Sequence, residues 1–133
     1  MSQHASGTFT IDAWEPEPYD DQNEVKLARV RVRKTFSGDI AGVSTAELLM
    51  VAGTEEGQAA YVGVERIVGS VHGRAGSFVL LHHGIATPGE QSALWTVAPG
   101  SGTGGLRSLR GTAIIGDDPE GAHSFTLDYD DLD

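Results

Sequence analysis

Polar and apolar residues alternate along most of this 133-residue chain, in short runs that glycine, proline, asparagine and aspartate interrupt. In one run, apolar Val30 and Val32 alternate with Arg29, Arg31 and Arg33. Residues i and i+2 of a strand point to the same face, so this pattern predicts strands with one buried and one solvated face. No stretch has apolar residues at the 3.6-residue period of an amphipathic helix. The composition, with 18 glycines and 39% hydrophobic residues, is more typical of strands joined by tight turns than of packed helices.

Eight segments have the character of strands. They lie at residues 7–14, 25–36, 43–52, 58–72, 77–84, 93–98, 111–115 and 123–129, with turn-forming residues between them. The first strand is expected to end before Pro16 and Pro18, because proline has no N–H to donate to a neighbouring strand. The glycine-rich residues 73–76 and 99–106 are expected to be turns.

An antiparallel sheet of about eight strands must either expose its edges or close on itself. Closure is the simpler solution, so the sequence predicts an all-β fold, a closed antiparallel barrel of about eight strands. Such a barrel has an interior that side chains just fill or that holds one small ligand. The length is that of one domain and no repeat or linker divides it, so residues 1–133 are expected to form a single β-barrel domain.

Composition excludes several classes of protein. Nine Lys and Arg against 19 Asp and Glu give a net charge of −10, and a chain of that charge is expected to repel nucleic acid and anionic lipid. The absence of cysteine excludes disulfides, thiol nucleophiles and thiolate metal sites. The chain shows neither a secretory signal nor an apolar run long enough to span a membrane, so we expect a cytoplasmic protein without nucleic-acid or membrane partners.

Tyr61 and Glu65 are the first candidate site residues. They lie at positions i and i+4 of one predicted strand, with Gly63 between them, so they share a face that small residues leave open. In a partly desolvated pocket, Glu65 would have a raised pKa and act as a general acid or base while Tyr61 orients a ligand. The alternative is that Glu65 faces solvent and pairs with a Lys or Arg of a neighbouring strand.

His82 and His83 are adjacent in a strand and therefore point to opposite faces, so they cannot chelate one metal together. Both faces are mostly apolar, and the pattern does not decide which histidine is buried. His82 is the candidate catalytic histidine, with a hydrogen-bonded structural role as the alternative. His4, His72 and His123 form no H-x-H or H-E-x-x-H motif, so neither a metal site nor another cofactor is expected.

The remaining candidates lie in turn-like segments. Ser101 and Thr103 belong to the glycine-rich run, which lacks the ending of a Walker A loop and is more simply a turn at a barrel rim, where their hydroxyls can meet a ligand. Arg74 can bind a ligand carboxylate at a rim, or cap a hairpin with surface charge. The arginines at positions 29, 31 and 33 form a cationic stripe, which is interpreted as a solvated strand face. The alternative is that the stripe contacts an acidic ligand or the acidic edge of a partner protein.

Several segments, taken in order, resemble the bacterial DUF3224 family over nearly the whole chain. They are Trp14-Glu15, Phe36–Gly42, Tyr61–Glu65, Gly73–Leu80 with His82, and Ser101–Leu106. That family resembles allene oxide cyclases in fold, which implies a closed antiparallel barrel of about eight strands with an internal cavity. The resemblance implies chemistry that needs a shaped, dry cavity and few acid or base groups. No catalytic residue of those enzymes is carried over to a position of this chain.

Two classes of function follow from these observations. The first is a barrel that binds an apolar or amphipathic small molecule, with isomerase or cyclase activity implied by the fold resemblance alone. The second is a barrel with a filled interior that acts as a protein–protein interaction or structural module. A cavity of a few hundred Å3 would favour the first and a solid core the second. A homodimer is compatible with a barrel of this size.

Overall fold

The computed structural model describes residues 2–117, 123–130 and 132. Nine β-strands account for most of these residues. They are β1 (Ser2–Asp20), β2 (Lys26–Gly38), β3 (Ile40–Ala52), β4 (Ala59–Val71), β5 (Arg74–Thr87), β6 (Glu90–Val97), β7 (Thr103–Gly104), β8 (Gly111–Asp117) and β9 (His123–Asp130). Within the described residues there is no helix long and apolar enough to cross a membrane.

Eight of the strands form a closed antiparallel barrel. The strands from β1 to β6 pair in chain order, β6 pairs with β8, β8 with β9, and β9 returns to pair with β1. The two-residue strand β7 is additional and lies against the start of β5. The prediction of a closed antiparallel barrel of about eight strands is therefore confirmed.

Strand β1 is longer than the sequence pattern suggests, because it continues through both prolines to Asp20. Beyond Phe9 its pairing with β9 ends, and only the edge facing β2 keeps a partner among the described residues. Proline is tolerated in such a stretch, because no N–H is needed along an edge that has no partner strand in the described residues. The expectation that the strand ends before the prolines was wrong for this reason.

The pairing register shifts between Ile11 and Ala13, so that β1 bulges at Asp12. After the bulge the alternation of faces is reversed. Trp14 is consequently paired with Val32, an inward-facing residue, and lines the barrel interior with part of its side chain while about half of it stays exposed.

The hairpin between β4 and β5 is tighter than expected. His72 and Gly73 form its turn with φ values of 48° and 80°, the left-handed conformation of a two-residue hairpin turn. Residues 74–76, predicted to be part of a turn, therefore belong to β5.

The barrel wall is incomplete on one side. Strands β6 and β8 pair only at Trp95 with Ala113 and Thr96 with Thr112. Residues 90–94 of β6 are exposed on both faces, which leaves a lateral opening between the two strands.

The interior is filled at one end of the barrel and not at the other. The filled end contains a cluster of sixteen buried apolar residues, of which Phe78, Phe125 and Ile40 are among the largest that are fully buried. Toward the other end lies a smaller cluster of Val30, Val32, Ala46 and Leu48. The space beside this smaller cluster is the candidate site.

Candidate functional site

A cavity of about 260 Å3 lies in the barrel interior, beside the smaller apolar cluster. Each of the eight barrel strands contributes at least one side chain to its wall. The lining residues are Phe9, Ile11, Trp14, Val32, Lys34, Ala46, Leu48, Met50, Tyr61, His82, Trp95, Ile115 and His123. A mostly apolar wall with a few converging polar groups is the usual composition of a small-molecule site.

Inward-facing glycines shape this part of the barrel. A Cβ on Gly84 would lie 2.4 Å from Cε1 of Tyr61, and a Cβ on Gly63 would lie 2.4 Å from Cδ2 of Leu48. Glycine at these two positions therefore lets the Tyr61 ring and the Leu48 side chain lie directly over the neighbouring backbone.

A buried cluster of polar side chains forms the inner end of the cavity. Glu65 is fully buried, and its Oε1 lies 3.1 Å from Nζ of Lys34 and 2.9 Å from Nε2 of His82. Its other oxygen, Oε2, accepts a hydrogen bond of 2.5 Å from the Ser44 hydroxyl. Lys34 and His82, both also buried, lie between Glu65 and the cavity, which they line.

The neighbours of Glu65 decide its protonation state. Burial alone would raise the pKa of Glu65, but contact with His82, the charge of Lys34 and the Ser44 hydrogen bond together lower the pKa below its ordinary value. The expected raised pKa of this residue is therefore wrong, because the sequence reasoning counted desolvation without the partners. Glu65 is a buried carboxylate at neutral pH.

Lys34 and His82 are affected mainly by burial. Desolvation lowers the pKa of Lys34, against the opposing effect of the Glu65 carboxylate. Desolvation also lowers the pKa of His82. The contact with Glu65 raises this pKa in part, and the charge of Lys34 lowers it. His82 is consequently a neutral imidazole at neutral pH.

Aromatic rings surround the polar cluster. The His82 ring is stacked on Trp95 with 3.6 Å between centroids, and the Tyr61 ring lies steeply inclined to it at 73° with 6.2 Å between centroids. Trp95 donates its indole N–H to the Tyr61 hydroxyl over 3.1 Å. The Lys34 ammonium lies 4.7 Å from the ring centroids of both Trp95 and Phe9, a distance suited to cation–π attraction.

One polar atom at this site has no hydrogen-bond partner. Although Nε2 of His82 is 2.9 Å from Glu65, the two groups are not aligned for a hydrogen bond, and no other group in the described part of the chain supplies one. A buried polar atom without a partner is uncommon. Because the His82 side chain also lines the cavity, the arrangement leaves hydrogen-bonding capacity beside the space a ligand would fill.

The structure brings three of the predicted site residues together, namely Tyr61, Glu65 and His82. His82 faces inward and His83 outward, which settles the choice that the sequence pattern left open. The alternative in which Glu65 faces solvent is excluded by its complete burial, although it does pair with a lysine of another strand.

Arg74, Ser101 and Thr103 lie elsewhere. Arg74 is exposed at the start of β5, eight residues before the cavity-lining His82, which corresponds to about 26 Å along a strand. Ser101 hydrogen-bonds to the backbone of Val79, and the Thr103 hydroxyl to the backbone and hydroxyl of Ser77. The two hydroxyls thus attach the segment around β7 to β5, and neither residue lines the cavity.

The cationic stripe and the other histidines form no further site in the described residues. Arg31 pairs with Glu47 on β3 over 2.8 Å, and it lies opposite Glu15 on β1. These contacts agree with a solvated strand face. Across residues 2–117, 123–130 and 132, no group of three or more His, Asp or Glu side chains is arranged to hold a metal ion.

Lys34, Ser44 and Trp95 were not predicted as site residues from the sequence. For Lys34 a signal was present, since its spacing from Val32 and Phe36 places it on their face of the strand, opposite the face of the arginines. A lone lysine on an apolar face, with a lone glutamate on the apolar face of another strand, indicates a buried ion pair. Nothing in the pattern placed Ser44 and Trp95 beside that pair, because this depends on strand register.

The comparisons with known proteins agree with the fold. The family described as "Protein of unknown function (DUF3224)" matches residues 5–129. The crystal structure of a protein of unknown function from that family, from Shewanella oneidensis MR-1, has a TM-score of 0.90 and 32% sequence identity. The alignment covers 100% of this chain and 99% of that chain. No curated protein matches the sequence.

Proposed function

This chain belongs to the DUF3224 family, and we propose that it is a small-molecule-binding β-barrel that holds an apolar or amphipathic ligand in its interior cavity. The observation that carries the proposal is the cavity of about 260 Å3 to which all eight barrel strands contribute. That volume is near the lower end of the range for ligand pockets, so the ligand is small.

The distribution of polar groups suggests how the ligand is oriented. Lys34, Tyr61 and His82 lie together beside Trp95, while the remaining wall is largely apolar. A ligand with an apolar body and one polar end fits this arrangement, with the polar end directed toward the buried cluster.

The lateral opening between β6 and β8 offers a route into the cavity. An adjoining depression of about 350 Å3 lies along residues 91–93 and 113–115 and shares Tyr61, Trp95 and Ile115 with the cavity. A ligand entering there passes the exposed inner face of β6 before it reaches the polar cluster.

The cavity favours ligand binding over the alternative of a filled barrel that serves only as an interaction module. Isomerase or cyclase activity is the second candidate. It is favoured by the ionised Glu65 carboxylate in contact with the neutral imidazole of His82, since such a pair can accept a proton from a bound ligand.

The test is the binding of a small apolar probe to the wild-type protein and to a cavity-filled variant. We expect 2-naphthalenemethanol to bind with one-to-one stoichiometry by titration calorimetry and to change the fluorescence of the buried Trp95. Ala46 lines the cavity, so Ala46→Leu should weaken binding about tenfold or more. Ala52→Leu, at an exposed position of the same strand, is the matched control.

Equal binding by wild type and Ala46→Leu would place the probe outside the cavity and contradict the proposal. Denaturant unfolding of each variant verifies that a loss of binding is not a loss of the folded state.

A further inference from the structure

The sequence contains only two lysines, and the structure places them in opposite environments on β2. Lys26 is exposed and donates to the backbone carbonyl of Asp21 over 3.5 Å. Lys34 is buried, lines the cavity, and has the rings of Phe9 and Trp95 on its flanks.

The surroundings of Lys34 are those of a reactive amine. Burial among apolar groups lowers the pKa of Lys34, so that a larger fraction of it is the unprotonated nucleophile than in an exposed lysine. Glu65, 3.1 Å away, is placed to accept the proton that the ammonium must lose.

The charge of the cluster restricts the ligand that can approach Lys34. The Glu65 carboxylate balances the Lys34 ammonium, and His82 and Tyr61 are neutral, since burial lowers the pKa of the first and raises the pKa of the second. Because the ammonium is already balanced, a charged ligand group would lose its hydration in the cavity without a net counter-charge to replace it. The site therefore favours an uncharged hydrogen-bond acceptor, such as a carbonyl oxygen.

From this placement we infer that Lys34 forms an imine with the carbonyl carbon of an apolar aldehyde or ketone held in the cavity, an inference that rests on the proposed ligand-binding function. The lysine nitrogen forms a bond to the carbonyl carbon, and the carbon–oxygen double bond becomes the single bond of a carbinolamine. The carbon–oxygen bond then breaks. The oxygen leaves as water with two hydrogens that began on the ammonium nitrogen.

The product is a protonated imine, so the positive charge at Lys34 is the same before and after the reaction. Glu65 accepts the ammonium proton while the nitrogen attacks, and a proton is added to the oxygen before the carbon–oxygen bond breaks. The carboxylate afterwards pairs with the protonated imine as it paired with the ammonium. No oxidant, reductant or further reactant is consumed.

Reductive trapping tests the inference. The protein is incubated with 2-naphthaldehyde and sodium cyanoborohydride near pH 7, and the label is located by intact mass and peptide mapping. We expect one naphthylmethyl group per chain on Lys34, formed about tenfold faster or more than on Lys26 because the cavity holds the aldehyde against the Lys34 amine. The N-terminal amine, whose ordinary pKa is below that of lysine, is also labelled near pH 7 and is counted separately by peptide mapping. An excess of 2-naphthalenemethanol, which fills the cavity but has no carbonyl group, should suppress the labelling of Lys34 only.

Two variants complete the experiment. Lys34→Met removes the amine, and Lys34→Arg removes the nucleophile while keeping a cation opposite Glu65, so that labelling at this position should be lost in both. If Lys34→Met does not fold, Lys34→Arg and the competition with the alcohol still decide the question.

The outcomes separate this inference from the proposed function. Labelling of Lys34 no faster than that of Lys26, with 2-naphthalenemethanol still bound in the cavity, would overturn imine formation and leave ligand binding standing. If the alcohol does not bind at all, the proposed function fails and the inference fails with it.

Discussion

Replacing Glu65 by glutamine is expected to destabilise the protein strongly, because it leaves the Lys34 ammonium buried without a counter-charge. At the observed separation of 3.1 Å, two unit charges attract by about 5 kcal/mol with an effective dielectric constant of about 20. The cost of removing them from water offsets part of this attraction when both are present. Removing one partner of a buried pair costs about 3 to 5 kcal/mol, a large share of the about 5 to 15 kcal/mol that stabilises a typical domain.

The double variant Lys34→Met/Glu65→Gln separates the ion pair from local packing. Neutral groups of similar size replace both charges, so its loss of stability should be smaller than the sum of the two single losses, by about 2 kcal/mol or more. The free energies of unfolding are measured by urea denaturation at pH 7, followed by circular dichroism and tryptophan fluorescence.

The pH dependence of Glu65→Gln provides an independent check. Glu65 raises the pKa of Lys34, so without it burial lowers that pKa further. The unfolded chain then binds more protons than the folded one below the ordinary lysine pKa of 10.5, and stability should rise with pH toward that value. The reasoning is refuted if Glu65→Gln loses less than about 1 kcal/mol at pH 7, or if the two single losses are additive.

Three further predictions concern the cavity and the opposite end of the barrel. Because the pKa of His82 is lowered in the folded state, the free energy of unfolding should fall as pH decreases below 6.5. His82→Gln should reduce this pH dependence, whereas His83→Gln, at an exposed position, should not. Equal pH dependence in the two variants would contradict the lowered pKa of His82. Gly84→Ala should weaken probe binding and lower the free energy of unfolding by about 1 to 3 kcal/mol, since its Cβ meets the movable Tyr61 ring. Gly69→Ala should lower the free energy of unfolding further, because its Cβ would lie 1.9 Å from a backbone oxygen. Chemical denaturation measures both losses, and a larger loss for Gly84→Ala would contradict the packing argument. Ser101→Ala should lower stability by about 1 kcal/mol through its lost hydrogen bond to the β5 backbone and leave probe affinity unchanged; a weakened affinity would show that the rim at β7 takes part in binding.

The barrel was predictable because strand alternation reports burial directly. Val30 and Val32 face inward and Arg29, Arg31 and Arg33 outward, as their spacing indicates. The same alternation gives the inward position of Lys34, although this position was not among the predicted site residues.

What could not be predicted depends on pairing between distant strands. The bulge at Asp12 reverses the faces of β1 and turns Trp14 inward, and no local signal indicates it. Glu65 lies next to Lys34 and Ser44 only because of the registers among β2, β3 and β4. The lowered pKa of Glu65 follows from those neighbours, so residue type and spacing alone predicted the wrong direction for the pKa shift.

Arg74 and Ser101 illustrate the other limit of sequence reasoning. A hairpin turn and a glycine-rich segment both lie at a barrel rim, but a barrel has two rims, and composition does not tell which one borders the cavity. The structure places these residues at the filled end.

Native mass spectrometry of the purified protein, followed by denaturation and identification of what is released, tests the central claim most directly. We expect one small apolar or amphipathic molecule per chain in the wild-type protein, displaced by 2-naphthalenemethanol and absent from Ala46→Leu. A polypeptide mass without any bound molecule, together with no binding of the probe, would contradict the account of this barrel as a small-molecule-binding protein.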